Sequence, residues 1–351
     1  MHSFVATKNL DMPKLKVIIP TALISIAIGS GITYFVMNSN DSEFVSKSET
    51  RVAKKAVINA DCNLSLMRLK TSSSNQLISP LLLTELSCST PEYDSLKSEI
   101  SNYIIEQQNS GVLTCASVYL KELLTGRWFD INGSQKYNPG SLMKVAIMMT
   151  YLKKSESDPS IMDSQLVLEN KVSEVVDQLR TSPELKVGAS YTVRTLITEM
   201  IVNSDNDATN LLNENLDQSV FSTVMSDLGC STPSIDDPNY QMTIMEYNRY
   251  FRVLYNASYL NQDNSQWGLS LLTKSNYKEA FVKELPTNVT IAHKFGERPY
   301  EQGYNFHEAG LVYLKNKPYL LVVMTRGKDN AKLPSVVSHI SKMCYDEVAV
   351  I

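Results

Sequence analysis

Strand-like runs stand at both ends of a long helical block in this 351-residue chain, and that distribution leaves few folds open. Cys115 to Leu120 and Arg127 to Ile131 are rich in β-branched and aromatic residues, and Leu124-Thr125-Gly126 between them reads as a hairpin turn. Three more runs come late: Val289 to Phe295, Ala309 to Leu314 and Tyr319 to Thr325. Between the two groups, helical spacing is predicted over Thr195 to Val202, Asp207 to Asn215, Thr243 to Tyr255 and Gln266 to Leu285. Tyr93 to Gln108 precedes the first strand as a helix, with Leu96, Ile100, Tyr103 and Ile104 on one face, and Leu333 to Val348 closes the chain as another. Strands joined by short connections pair antiparallel. The expected architecture is α/β in the α+β sense, with the sheet assembled from two distant parts of the chain. Helices should cover both faces, the first and last lying together on one of them.

Within the helical block, Asn138-Pro139-Gly140-Ser141-Leu142-Met143-Lys144 runs into the apolar Val145-Ala146-Ile147-Met148-Met149. A Pro-Gly turn followed by a 3.6-period apolar run marks a helix starting at or beside Ser141. Lys144 would then sit one turn on, on the same face, because i and i+3 are helical neighbours. A serine hydroxyl is a poor nucleophile until a base takes its proton, and a partly desolvated lysine can be that base. The pair is weak evidence alone, since Ser275-Asn276-Tyr277-Lys278 has the same spacing in a polar stretch with no turn before it. A capping serine and a solvated lysine are the plain alternative.

Two further segments carry chemistry. Asn203-Ser204-Asp205-Asn206-Asp207 places a Ser-Asp-Asn triplet between two helical runs. Such a triplet is ordinarily a turn or cap. It also offers a second hydroxyl to relay a proton, an amide to grip a substrate amide, and a carboxylate to brace the loop through backbone N–H groups. In Ile291-Ala292-His293-Lys294-Phe295-Gly296-Glu297-Arg298, a lysine and a glycine at a strand end can present a cation and an unobstructed N–H to an anion. An edge-strand lysine that discourages aggregation is the competing reading.

In this order, the three segments resemble the motif set of the serine β-lactamase and penicillin-binding-protein superfamily, and most closely its class A branch, from about Tyr93 onward. The resemblance implies a three-layer sandwich, a five-stranded antiparallel sheet with helices on both faces, working as a monomer without a cofactor. It implies that Ser141 attacks a carbonyl to form an acyl-enzyme, that Lys144 accepts its proton, and that Ser204 passes a proton to the departing nitrogen. Asn206 would hold the substrate's side-chain amide and Lys294 would face its carboxylate. The N–H groups of Ser141 and of Glu297, the residue after Gly296, would form the oxyanion hole.

Two departures from that pattern matter. Phe295 stands where the family has threonine or serine, removing a hydroxyl that helps bind a carboxylate and adding an apolar ring by the cleft; His307 and Arg298 are the nearby candidates to supply a donor instead. The Glu-x-x-Leu-Asn loop, whose glutamate activates the deacylating water in class A enzymes, is missing between the second and third segments. Asp236 or Asp237 could stand in, or a lysine could activate the water. Without a poised base, acylation proceeds while deacylation slows. The expected enzyme is therefore a serine hydrolase better suited to D-Ala-D-Ala cell-wall peptides than to rapid lactam turnover. A true β-lactamase and a non-catalytic wall-binding or sensor module are the alternatives.

The amino end adds a location. Val17 to Met37 carries no charged side chain, and about 20 such residues span a bilayer as a helix. Lys14 and Lys16 abut it on one side and acids alone follow closely on the other, so residues 1–16 are expected in the cytoplasm and the rest outside. A cleaved signal peptide would end in small residues, whereas this stretch ends in Tyr34-Phe35-Val36-Met37. Residues 38–92 read as a stalk and packing arm, with Ile78 to Leu83 laid on the body, and 93–351 as the hydrolase domain. The five cysteines all follow the anchor, where Cys62 with Cys88 can tie down the arm or all can remain buried thiols. A net charge of −4 with no basic block argues against a nucleic-acid partner, and no His/Cys spacing resembles a metal site.

Overall fold

The computed structural model describes residues 63–69, 80–172, 183–233 and 239–350. The expected anchor Val17 to Met37 and the two aspartates Asp236 and Asp237 lie outside them. Among the described residues, no helix is long and apolar enough to cross a membrane.

An antiparallel pair comes first, β1 (Leu64–Arg68) with β2 (Leu81–Leu86). After α1 (Asp94–Asn109) come β3 (Cys115–Glu122), β4 (Trp128–Ile131) and the short β5 (Lys136–Tyr137). The helical block holds α2 (Lys144–Ser155), β6 (Gln165–Val167), β7 (Ser190–Thr192), α3 (Val193–Val202), α4 (Asn206–Glu214), α5 (Gln218–Asp227), β8 (Met242–Thr243), α6 (Ile244–Asn256) and α7 (Gln262–Leu272). The chain ends with β9 (Ile291–Tyr300), β10 (Gly303–Val312), β11 (Tyr319–Gly327) and α8 (Leu333–Val350). The main sheet has five strands in the order β4-β3-β11-β10-β9, every pairing antiparallel. Early and late strands thus meet where β3 pairs with β11, as the distribution of strand-like runs requires.

Each strand of this sheet serves two cores because successive side chains point to opposite faces. On β11, Leu320, Val322 and Met324 join the core shared with α2, α3, α6 and α7, while Tyr319, Leu321 and Val323 join the one beneath α1 and α8. The first and last helices do lie together: Leu96, Ile100 and Ile104 pack in one cluster with Val336, Val337, Ile340 and Val348. Burying each such side chain stabilises the fold by about 1.5–3 kcal/mol. Helix starts are set by local chemistry. Thr243 and Glu246 form a reciprocal capping box at α6, and Asp217 accepts N–H bonds from Ser219 and Val220 at α5.

The arm is held by charge as well as by Leu82 and Leu83, which are buried. The Glu85 carboxylate meets the guanidinium of Arg252, lies 3.5 Å from Lys121 Nζ, and accepts from Tyr119 Oη at 3.1 Å. Arg252 also donates to Thr84 O at 2.6 Å.

Several expectations need correction. The helix expected over Gln266 to Leu285 starts at Gln262 and stops at Leu272. Beyond it, the Asn276 N–H bonds to Val202 O and its side chain to Asn203, so tertiary hydrogen bonds take the backbone out of the helix. Helix α5, which the spacing did not reveal, buries Phe221, Val224 and Met225 in a Ser/Thr-rich segment. Strands β9 and β10 run past their expected ends to form a projecting hairpin around residues 297–304. The five cysteines are not all thiols: Cys88 is disulfide-bonded, while Cys115, Cys230 and Cys344 are free.

Candidate functional site

Ser141 lies in a single 3₁₀ turn, Gly140–Met143, that leads directly into α2 at Lys144, rather than in the α-helix itself. Gly140 adopts φ +51°, and a Cβ there would lie 2.4 Å from Glu297 O. A Cβ on Gly296 would likewise fall 2.6 Å from Pro139 O and 2.7 Å from Leu142 N. The turn carrying Ser141 and the β9 segment Gly296-Glu297 are therefore in backbone-to-backbone contact, which only a glycine on each side permits.

Three further groups hold this turn. Asn138 Oδ1 accepts from the Gly140 N–H at 3.1 Å, Tyr247 donates to Leu142 O at 3.0 Å, and His307 Nε2 lies 2.9 Å from Asn138 O. His307, a candidate donor beside the cleft, is instead fully buried, and its Nδ1 accepts from the Thr325 N–H at 3.1 Å. One ring nitrogen accepts and the other must donate, so the imidazole is neutral. Burial pushes its pKa down from 6.5 to about 4. A group held neutral in the fold takes up its proton more readily when unfolded, so the native state loses stability as pH falls from 6.5 toward 4. Urea unfolding from pH 7 to pH 4 is expected to show that loss. His307→Gln should flatten this part of the profile, and an unchanged profile would remove His307 from the account.

Lys144 and Lys294 converge on one hydroxyl. Lys144 Nζ donates to Ser204 Oγ at 3.1 Å, to Ser204 O and to Asn206 Oδ1 at 2.8 Å. Lys294 Nζ reaches the same Ser204 Oγ at 2.9 Å from β9. Ser204 can sit there because its backbone is left-handed, at φ +55°, uncommon for a residue other than glycine. The strain is carried by the surrounding bonds. Asp205 caps α4 by accepting from the Ala208 N–H at 2.7 Å, and Asn203 is gripped by Glu199 at 2.7 Å and by Asn276. The Asn206 amide oxygen is engaged, so the donors it can offer a ligand are those on Nδ2.

The structure thus brings Lys144, Ser204, Asn206 and Lys294 into one cluster and sets the Ser141 turn against Gly296 and Glu297. The Glu297 side chain turns aside to accept from Asn330 at 2.9 Å, leaving only its backbone beside the turn. Phe295 stacks on Tyr277, ring centroids 4.1 Å apart, and its ring lies 4.2 Å from Lys294 Nζ. Sequence reasoning missed Asn276 and Tyr277, which buttress the second and third segments from the stretch that carries the other Ser-x-x-Lys. Arg298 is exposed on β9.

A family model described as "Beta-lactamase enzyme family" matches residues 95–348. The chain belongs to the Beta-lactamase enzyme family. That membership makes the chain one of a family of serine hydrolases. Solved structures share the β-lactamase fold at low identity. The structure of PBP-A aligns with a TM-score of 0.62 and 20% identity, covering 74% of this chain and 97% of its own. The β-lactamase from Sphaerobacter thermophilus DSM 20745 gives 0.60 and 17%, covering 72% and 98%, and the TLA-1 extended-spectrum β-lactamase gives 0.63 and 16%, covering 73% and 99%. No curated protein matches the chain significantly.

Proposed function

We propose that this β-lactamase-family protein forms an acyl-enzyme at Ser141 with a β-lactam or a D-Ala-D-Ala peptide and releases it slowly, in the manner of a DD-peptidase. The observation that carries the reading is the Ser204 hydroxyl held between the amines of Lys144 and Lys294, with Lys144 the first residue of α2 after the Ser141 turn. Lys144 takes the Ser141 proton as Oγ attacks the acyl carbon. Ser204, bonded to that same amine, hands a proton to the departing nitrogen. The Ser141 and Glu297 N–H groups face the developing oxyanion, a role that the Gly140–Gly296 contact supports by bringing the two backbones together. A mutant of PBP-A has been solved as an acyl-enzyme complex with penicillin G, which supports the same chemistry here. The uncharged Val17 to Met37 stretch supports a single-pass anchor that leaves the hydrolase domain outside the cytoplasmic membrane, where wall peptides are found.

Fluorescent penicillin tests the reading. The full chain is expected to acquire a lasting label, and Ser141→Ala to acquire none. Brief labelling accompanied by lactam loss would instead identify a β-lactamase. If the wild-type chain takes no label from penicillin and releases no D-alanine from a wall pentapeptide, the acyl-enzyme reading is wrong and a binding module remains.

A further inference from the structure

Resting on that reading, we propose that Phe295 makes this site accept uncharged acyl donors, because the Lys294 ammonium is committed within the protein rather than presented to a substrate carboxylate. Lys294 is completely buried. Its Nζ donates to Ser204 Oγ at 2.9 Å and to Phe295 O at 3.0 Å, and it lies 4.2 Å from the centroid of the Phe295 ring. Two of its N–H groups are engaged by these oxygens, and its charge faces the aromatic ring. The aromatic face supplies the negative potential that a ligand carboxylate would otherwise provide.

The ring is fixed in that place. It is 7% exposed, stacked on Tyr277 at 4.1 Å and next to Phe306 at 6.5 Å. Tyr277 is positioned in turn by its neighbour Asn276, tied to Asn203 beside the Ser204 loop. A hydroxyl side chain at 295 would lack the ring face and would add a donor for an anion. With phenylalanine there, a carboxylate brought to this position must displace a cation–π contact and finds no side-chain hydroxyl. Recognition then rests on the acyl side of the substrate, through Asn206, and the leaving group is free to be neutral. In an acylation of this kind the bond from Ser141 Oγ to the acyl carbon forms and the bond to the leaving atom breaks. The serine proton passes through Lys144 to the leaving group.

The test uses two thioester donors with the same N-acyl-D-alanyl group, one whose thiol leaving group bears a free carboxylate and one bearing its methyl ester. A fluorophosphonate serves as a carboxylate-independent probe of Ser141. Wild-type acylation by the two donors is expected to agree within about tenfold, since no side-chain pair is built to read the charge. Phe295→Thr should shift preference toward the carboxylate donor by about tenfold or more, whereas Phe295→Leu, which removes the ring without adding a hydroxyl, should not. A wild-type preference for the carboxylate donor above tenfold overturns the proposal, and its loss in Arg298→Ala would name the group that reads the charge. An unshifted ratio in Phe295→Thr also overturns it. Fluorophosphonate labelling without acylation by either donor overturns this inference alone; no labelling by any of the three overturns the acyl-enzyme reading as well.

Discussion

Replacing Lys144 by methionine is expected to slow acylation of Ser141 by about 10²- to 10⁴-fold, the range that a positioned proton acceptor contributes. Methionine keeps the unbranched shape of the side chain and its burial in α2 but removes the amine. Three acceptors lose a donor at once: Ser204 Oγ, Ser204 O and Asn206 Oδ1. The left-handed Ser204 backbone is therefore expected to relax, and the defect should exceed that of losing a base alone. Stopped-flow acylation by penicillin measures the rate, and circular dichroism confirms the fold. Lys144→Arg, which keeps the charge and donors but cannot give up its proton at neutral pH, should be nearly as slow. Acylation of Lys144→Met within tenfold of wild type would assign the proton to another group.

Glu85→Gln is expected to destabilise the protein by about 3 kcal/mol, the low end of the cost of removing one partner from a buried ion pair, because the Glu85 side chain is 23% exposed. The loss is large because Glu85 balances two cations. Arg252 is 3% exposed and Lys121 8% exposed, and both are left without their carboxylate. Burial already lowers the Lys121 pKa from 10.5 to about 8, with Glu85 opposing that shift. A lysine with a lowered folded pKa releases its proton earlier in the native state than in the unfolded one. Its contribution to stability therefore rises as pH climbs from about 8 toward 10.5. In Glu85→Gln this rise should begin at lower pH, because the carboxylate that opposes the effect of burial on Lys121 is gone. Urea unfolding across that range reads both effects, and hydrogen exchange should show Leu81–Leu86 opening before the rest. A variant as stable as wild type, with an unmoved profile, would mean that the arm is held by its leucines alone.

Much of this was visible in the chain itself, for reasons that are local. Helix α8 was legible from an apolar period near 3.6, and strand β11 from a continuous apolar run that suits a strand buried on both faces. The reactive segments were legible because each puts short-range chemistry in a few adjacent residues. What escaped depends on distant partners. Helix α5 was hidden by its serines and threonines, which sit on its outer face while Phe221, Val224 and Met225 do the packing. The Pro139-Gly140 turn was plain, but not that Gly140 must admit the carbonyl of Glu297. Asn276 looked like part of a helix until Val202 and Asn203 claimed its hydrogen bonds. The ring of Phe295 was expected beside the cleft, and it lies there against Lys294, but its stacking on Tyr277 depends on a partner 18 residues away.

The pairing of β3 with β11 has a consequence for how the molecule is made. Ser141 and Ser204 leave the ribosome long before Lys294, and the strand that brings Lys294 and Gly296 to them has no sheet to join until β10 and β11 have been synthesised and β11 has docked on β3. A nascent chain stopped anywhere short of Gly327 thus carries Ser141 and Ser204 without the strand that brings Lys294 and Gly296 to them. The cluster around Ser204 is therefore assembled only when translation is nearly finished.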